Sequence, residues 1–190
     1  MNIVLASASP RRRELLTMLG VENYKIIPAV GEEIVKPGLS PAEIVCNLSY
    51  QKAAEVAERC ESTELIIAAD TVVVLDGEIL GKPSDKDEAF RMLSKLSGRT
   101  HEVFSGITLM QGEKVFSEYE RTSVRFRELS QREISAYIET GEPMDKAGSY
   151  GAQGLGSLFV EGIEGDFFNV MGLPLCRLSK MLEKLGVILI

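Results

Sequence analysis

The chain has 190 residues, of which 45% are hydrophobic and 26% are charged, a composition that is ordinary for a globular protein with a substantial core. Its formal net charge of -7 argues against a nucleic-acid polymer or an anionic membrane as the main partner, because both are themselves negatively charged. The single histidine, His101, excludes a multi-histidine zinc site. No apolar run is long enough to cross a membrane, no signal peptide is recognisable, and we interpret the three widely spaced cysteines as reduced cytosolic thiols.

The first motif is a run of arginines at the start of a helix. A short apolar strand is predicted over residues 2–6 and a helix over residues 10–19, with Ser9 as the N-cap, a proline at the first position and arginines at positions 11–13. Positive charge is unfavourable there, since the helix dipole already places about half a positive charge at this end. A bound phosphate would reverse the effect, because backbone N–H groups, guanidinium groups and serine hydroxyls such as that of Ser7 would converge on it. The alternative is a solvated charge run.

Strand and helix signals alternate along the rest of the chain. Two capping boxes, at Ser40 and Ser130, open helices that end near Glu58 and Gly141, and Ser84 is the predicted cap of another helix. The remaining predicted elements are strands over residues 24–27, 65–75, 78–80, 101–110, 114–126 and 158–163, with helices over 84–96 and 174–185 and a glycine-rich segment over 148–156. This order predicts one mixed α/β domain over residues 1–190, with a strongly bent sheet, flanking helices, two lobes and a central cleft.

Asp70 interrupts the most apolar predicted strand, which we place at the centre of the sheet. A buried carboxylate is costly unless it is hydrogen-bonded, paired with a cation, bound to a metal or raised in pKa. One interpretation is an aspartate satisfied by backbone N–H groups at a strand bend. The other is a functional carboxylate, since α/β sheets place their sites near strand ends.

Further candidates lie in loops and on a helix. Glu33 follows another glutamate in a glycine-containing loop and is either a ligand for a divalent ion or a solvated charge. Lys52, in the second predicted helix, and Lys82, held between a glycine and a proline, are either surface charges or, with the arginines, groups that neutralise a triphosphate. The glycine-rich segment contains Gln153 and lets backbone N–H groups approach a ligand closely, although a merely flexible loop has the same composition.

Six motifs in the same order closely resemble the Maf family of nucleoside triphosphate pyrophosphatases. They run from one end of the chain to the other and comprise residues 7–12 (SASPRR), 69–71 (ADT), 81–83 (GKP), 96–101 (LSGRTH), 145–154 (DKAGSYGAQG) and 170–174 (VMGLP). The resemblance implies a cytoplasmic enzyme that depends on a divalent metal ion, Mg²⁺ or Mn²⁺, and is often a homodimer. It also implies a fold related to that of the inosine triphosphate pyrophosphatases.

The resemblance assigns roles at matching positions. Asp70 becomes the proton acceptor and, with Glu33, a metal ligand; Lys52 and Lys82 become further catalytic residues. Arg11, Thr71 and Gln153 become the residues that set substrate choice. From the phosphate-binding interpretation of the first motif we expect Ser7 and Arg12 to bind the substrate as well. Thr71 and the sequence around Gln153 resemble the pyrimidine branch, which acts on dTTP and UTP, although Ser149 and Ala152 differ from the alanine and isoleucine often found there.

The expected reaction is hydrolysis of dTTP, UTP and modified pyrimidine nucleotides to the nucleoside monophosphate and pyrophosphate. The biological role that the resemblance implies is house-cleaning of nucleotide pools, with a link to arrest of cell division. Asp70 with an ordinary pKa of about 3.9 is a weak base, so either burial raises its pKa or it acts through a metal-bound water. The rival hypothesis is a non-catalytic nucleotide-binding regulator of septum formation.

Overall fold

The computed structural model describes residues 2–21 and 23–189, and within them it shows a mixed α/β fold with one seven-stranded sheet. The predicted fold class is therefore confirmed. The strands are β1 Ile3–Leu5, β2 Tyr24–Ile26, β3 Leu65–Leu75, β4 Glu78–Leu80, β5 Thr100–Gln111, β6 Lys114–Phe126 and β7 Val160–Glu164. The helices are α1 Pro10–Met18, α2 Pro41–Ala57, α3 Lys86–Leu96, α4 Gln131–Glu139, α5 Phe167–Val170 and α6 Leu175–Glu183.

The strand order in the sheet is β2-β1-β3-β5-β6-β7, and β4 pairs with β3. β1 is parallel to both β2 and β3, with Leu5 opposite Ile26 on one side and Ile67 on the other. β3 thus has a neighbour on each side, which agrees with its apolar sequence, because a strand buried on both faces has no solvent side to keep polar. β3 pairs with β4 in antiparallel fashion, and the turn Asp76-Gly77 joins the two strands.

The chain forms two compact units. The first comprises the residues up to Asp70, residues 105–120 and the chain from Gly172 onwards. Its core includes a cluster of mostly small and β-branched side chains, among them Val4, Ala53 and Ala68, together with Met110. The second unit comprises residues 71–104 and 121–171.

The second unit has a larger core that is rich in aromatic and long aliphatic side chains. Phe126 is almost fully buried at its centre and makes edge-to-face contacts with His101, Tyr150 and Phe159. Such contacts favour a defined ring geometry beyond the burial of area. The LSGRTH motif therefore places its histidine in the core of the second unit.

In the first unit, α2 packs directly on β5. A Cβ added to Gly106 of β5 would lie 2.3 Å from the backbone oxygen of Val45 in α2, so only glycine permits this approach. The hydroxyl groups of Ser49 and Thr108 meet 2.9 Å apart at the same contact. The close packing fixes the height of α2 above the sheet, and with it the position of Lys52 one turn further along.

Several predicted boundaries are wrong by a few residues. The cap of α3 is Asp85, whose carboxylate accepts the N–H of Glu88 at 2.7 Å, and Ser84 instead donates to the Glu88 side chain. Ser9 stands at the N-cap position of α1, but its side chain makes no capping hydrogen bond. The predicted strand from residue 158 begins at Val160, because a 3-10 helix occupies Gly154–Phe159.

Among the described residues, no helix combines the length and apolarity that crossing a membrane requires. Cys46, Cys60 and Cys176 are free thiols.

Candidate active site

Residues that follow β1 hold the side chain of Arg12 in place. Ser7 follows the strand and is buried, and its hydroxyl oxygen accepts hydrogen bonds from the Ser9 N–H at 3.2 Å and the Arg12 guanidinium at 3.3 Å. Arg12 also donates through Nε to the backbone oxygen of Gly172 at 2.9 Å. Two of the residues assigned to substrate binding, Ser7 and Arg12, are therefore in direct contact and held in place by backbone.

Lys52 joins the two carboxylates that the sequence singled out. Its ammonium group, on α2, donates to Asp70 Oδ1 and lies 2.9 Å from Glu33 Oε1. The Asp70 side chain is 10% exposed and that of Glu33 is 52% exposed, so the cluster extends from the interior to solvent. The structure thus brings Lys52, Asp70 and Glu33 together, and it pairs Asp70 with a cation rather than with backbone N–H groups.

The loop that carries Glu33 is fixed on α2 by two side chains that the sequence did not single out. Gln51 donates to the Ile34 oxygen at 2.8 Å and accepts the Ile34 N–H at 3.0 Å. Glu55 accepts the N–H groups of Val30 and Gly31, both at 3.0 Å, and these bonds lower the pKa of the Glu55 carboxyl. Because Gln51 and Glu55 are four residues apart on one helix face, they dock the loop beside Lys52.

The charges of this cluster influence one another. Burial lowers the pKa of Arg12, with the neighbouring Arg11 acting in the same direction, while the carboxylates of Asp70 and Glu33 oppose the shift. An arginine stays protonated in spite of such a shift. The arrangement therefore places guanidinium and ammonium groups within electrostatic reach of two carboxylates, as a site for a metal-bound polyphosphate requires.

The donor set suits a hard divalent cation. Asp70 and Glu33 direct carboxylate oxygens at one point, where Lys52 now lies, and Mg²⁺ is commonly held by one or two carboxylates together with substrate phosphates. No cluster of three or more His, Cys, Asp or Glu side chains suited to a metal is present among the described residues. Substrate oxygens and water would therefore have to supply most of the ligands.

The other three predicted site residues belong to the second unit. Thr71 is half-buried on β3, Lys82 is exposed after β4, and Gln153 is exposed at the N-cap of the 3-10 helix Gly154–Phe159. The segments that carry Lys82 and Gln153 are joined by a hydrogen bond from the Gly148 N–H to the Gly81 oxygen at 3.0 Å. Their backbones are thus tied together within this unit.

The glycine-rich segment has a defined backbone conformation and packs closely against β3. Gly148 adopts φ +67°, and a Cβ there would lie 2.9 Å from the Val73 side chain. Lys146, in the DKAGSYGAQG motif, donates to Asp145 and to the backbone oxygen of Glu142. Two further residues, Tyr137 and Glu142, contact the segment, and no sequence pattern pointed to them, because their partners are backbone N–H groups.

The comparisons with known proteins agree with these motifs. A family model described as "Maf-like protein" matches residues 2–185. A dTTP/UTP pyrophosphatase of Bacillus anthracis (strain CDC 684 / NRRL 3495) is 49% identical over 97% of this chain and 96% of that protein. A protein of the same name from Bacillus cereus (strain B4264) is 48% identical over the same shares. Among solved structures, the chain resembles a nucleoside-triphosphatase / dITP/XTP pyrophosphatase from Mycobacterium abscessus, with 16% identity, a TM-score of 0.45 and coverage of 97% of this chain and 98% of that chain.

Proposed function

Because this chain belongs to the Maf family, we propose that it hydrolyses dTTP and UTP to the nucleoside monophosphate and pyrophosphate. The observation that carries the proposal is the 49% identity over 97% of the chain to a protein named dTTP/UTP pyrophosphatase. The cluster around Lys52 supports it, since the reaction needs a base for water and cations for the phosphates.

In the proposed reaction, water attacks the α-phosphorus, and the bond from this phosphorus to the α–β bridging oxygen breaks. Pyrophosphate leaves with the bridging oxygen, and the water proton passes to the carboxylate of Asp70. Lys52 contacts Asp70 Oδ1, so we assign the acceptance of the proton to Oδ2. General-base assistance of this kind contributes about 10²–10⁴-fold to a rate.

Cationic side chains balance the charge that develops on the phosphates. We assign this role to Arg11, Arg12, Lys52 and Lys82, because preorganised charges cost no reorganisation as the reaction proceeds. The anchoring of Arg12 on Ser7 and on the Gly172 oxygen gives it a fixed direction. A divalent ion, Mg²⁺ or Mn²⁺, held by Asp70 and Glu33, would supply further positive charge at the phosphate oxygens.

Base recognition falls to Thr71 and Gln153 in this proposal. An amide side chain can accept the N3–H of uracil or thymine and donate to a ring carbonyl oxygen. We further propose that residues 1–190 act as one functional domain, that the protein is cytoplasmic, which agrees with its free thiols, and that it forms a homodimer. Sedimentation analysis tests the last point.

Product analysis tests the proposed reaction. Purified protein is incubated with dTTP and Mg²⁺, and pyrophosphate and orthophosphate are measured separately. We expect pyrophosphate and dTMP in equal amounts. Orthophosphate as the first product, or nucleotide binding without turnover, would overturn the proposal, and the second result would favour a nucleotide-binding regulator.

A further inference from the structure

We infer that Tyr137 and Glu142 form a clamp that positions Gln153, and thereby act as specificity-determining positioning residues for the base. This inference rests on the proposed function, since it concerns how that site selects its nucleotide. All residues of the clamp and of the segment that it holds lie in the second unit.

The clamp side chains accept hydrogen bonds from backbone N–H groups on both sides of Gln153 in the sequence. On one side, the Tyr137 hydroxyl oxygen accepts the Gly151 N–H at 3.2 Å. On the other side, the Glu142 carboxylate accepts the N–H groups of Leu155 at 3.1 Å and Gly156 at 3.2 Å. The backbone two residues before Gln153 and two residues after it is therefore tied to neighbouring side chains.

The two clamp residues are also bonded to each other. The Tyr137 hydroxyl donates to Glu142 Oε1 at 2.8 Å, so its proton and its lone pairs have different partners. Tyr137 is 4% exposed, and its ring makes an edge-to-face contact with Phe159 at 4.9 Å between centroids. The hydroxyl therefore has a fixed position from which to hold Gly151.

Glu142 stabilises the start of the 3-10 helix Gly154–Phe159, where N–H groups lack partners within the helix. A carboxylate at such an end gains both hydrogen bonds and a favourable dipole interaction. The glycines at this point pack closely on the clamp. A Cβ on Gly156 would lie 2.4 Å from the backbone oxygen of Gly151 and 2.7 Å from the Tyr137 hydroxyl, while Gly154 adopts φ +77° with Glu142 Oε2 2.9 Å from the position of a Cβ.

The position of Gln153 explains why its backbone needs this support. Its side chain is exposed and makes no capping hydrogen bond to the helix that follows. A side chain that reads a base by hydrogen bonds discriminates only if its amide is held in a narrow range of positions, because an adaptable amide can also satisfy the wrong base. The clamp therefore fixes the backbone from which the Gln153 side chain extends, which the Gln153 side chain does not do itself.

Two variants test the clamp, with a matched control. Tyr137→Phe removes the hydroxyl, and Glu142→Gln replaces one carboxylate oxygen by an NH₂ group that opposes the N–H donors. Glu139→Gln makes the same chemical change at an exposed ion pair with Lys86 in the same unit. For each protein, kcat and KM are measured with dTTP and with CTP, and amide hydrogen exchange is measured at residues 151–156.

We expect each clamp variant to lower the ratio of kcat/KM for dTTP over CTP by about tenfold, which corresponds to one good hydrogen bond. The loss should lie mainly in KM for dTTP, while pyrophosphate remains the product. Amides of residues 151, 155 and 156 should exchange faster than in the parent protein. Glu139→Gln should leave the ratio and the exchange unchanged.

An unchanged ratio in folded Tyr137→Phe and Glu142→Gln would overturn the inference, as would equal exchange. If Tyr137→Phe does not fold, Glu142→Gln decides, because Glu142 is only half-buried. If the parent protein releases no pyrophosphate, the proposed function fails, and the clamp is then judged by binding: the ratio of the dissociation constants of dTTP and CTP should still change about tenfold in the variants.

Discussion

Lys52 of α2 donates a hydrogen bond to Asp70 of β3, so the only acidic residue of an apolar strand is paired with a cation from the helix above it. Removing one member of such a buried pair leaves an uncompensated charge, which is strongly destabilising. Lys52 also contacts Glu33, whose side chain is half exposed, so the pair lies at the inner end of a path to solvent. The pairing places the Asp70 carboxylate at a fixed position between the helix and the sheet, which is the position that the proposed proton acceptor occupies.

Asp70→Asn tests the role of this carboxylate. The amide keeps the size of the side chain, and its oxygen can still accept from Lys52. The Lys52 ammonium group also keeps its ion pair with Glu33 at 2.9 Å, so its charge stays compensated and the fold should persist. We expect kcat for pyrophosphate release to fall by about 10²–10⁴-fold, the range for loss of a general base. Asp76→Asn is a matched control, because Asp76 is exposed and lies at the hairpin turn. Near-normal turnover by folded Asp70→Asn would refute the proposed mechanism.

Arg11→Ala and Arg12→Ala should differ in stability although both remove one positive charge. Arg12→Ala deprives the Gly172 oxygen of its donor, which should cost about 1–3 kcal/mol of unfolding free energy. Arg11→Ala should raise the stability of the nucleotide-free protein slightly, by about 0.3–1 kcal/mol, because it removes a positive charge that repels Arg12 at the end of α1 where the helix dipole is also positive.

Thermal or urea unfolding without nucleotide measures this difference, and both variants should lose kcat/KM for dTTP. A clear destabilisation by Arg11→Ala would show that Arg11 serves the fold rather than the phosphates.

The sequence predicted the elements better than the contacts of the site. β3 and β4 have the predicted bounds, because apolar runs and the Asp76-Gly77 turn are local signals. Asp70 stood out for the same local reason. Gln51 and Glu142 could not be found in this way, since each binds backbone N–H or C=O groups of a distant segment, and such partners leave no pattern in residue types. The 3-10 helix Gly154–Phe159 was also missed, because its glycines are typical of loops.

Gly106→Ala tests whether the packing of α2 on β5 positions Lys52. The new methyl group would meet the Val45 oxygen at 2.3 Å, and backbone would have to move. We expect a loss of about 1–3 kcal/mol in unfolding free energy, as for an overpacked core, and a lower kcat, because α2 carries Lys52. Gly162→Ala, also on a strand, is the control, since its methyl group would meet only the end of the Arg125 side chain at 3.4 Å. Equal stability of the two variants would contradict this prediction.

His101 should make stability depend on pH. Burial lowers its pKa from 6.5 to about 4; Nε2 pairs with the Tyr150 hydroxyl at 2.7 Å, and Nδ1 has no hydrogen-bond partner among the described residues. Between these values the unfolded chain binds the proton and the folded protein does not, so stability is lost as the pH falls from 6.5 towards 4. The full loss is about 3 kcal/mol.

Urea unfolding at steps from pH 7 to pH 4.5 measures this effect. His101→Gln, which keeps a polar group near Tyr150 but does not titrate, should show a flatter profile. The pH range in which His101 changes the free energy of unfolding lies above the range for Glu133. Hydrogen bonds from Arg127 and Ser130 lower the pKa of Glu133 to about 2, so the stabilisation from Glu133 is lost only below about pH 4.5. Identical profiles for the parent and His101→Gln would show that His101 does not titrate on unfolding.

Gln153→Ala tests base selection. We expect dTTP and UTP to be preferred over CTP, ATP and GTP, and we expect the substitution to reduce this preference more than it lowers the rate on the best substrate. The substitution affects the two kinds of base differently. A preferred base loses one hydrogen-bond partner. A disfavoured base is relieved of the penalty of about 1–3 kcal/mol that an unpaired buried donor or acceptor causes in the parent protein. A panel of nucleoside triphosphates at concentrations below KM gives the ratios of kcat/KM. Gln131→Ala, at an exposed position of α4 in the same unit, is the control and should leave these ratios unchanged.

Because an amide can also turn to suit cytosine, Thr71 and the backbone of residues 148–156 must contribute, so some preference should survive in Gln153→Ala. A purine nucleotide turned over fastest by the parent protein would contradict the assignment to the pyrimidine branch.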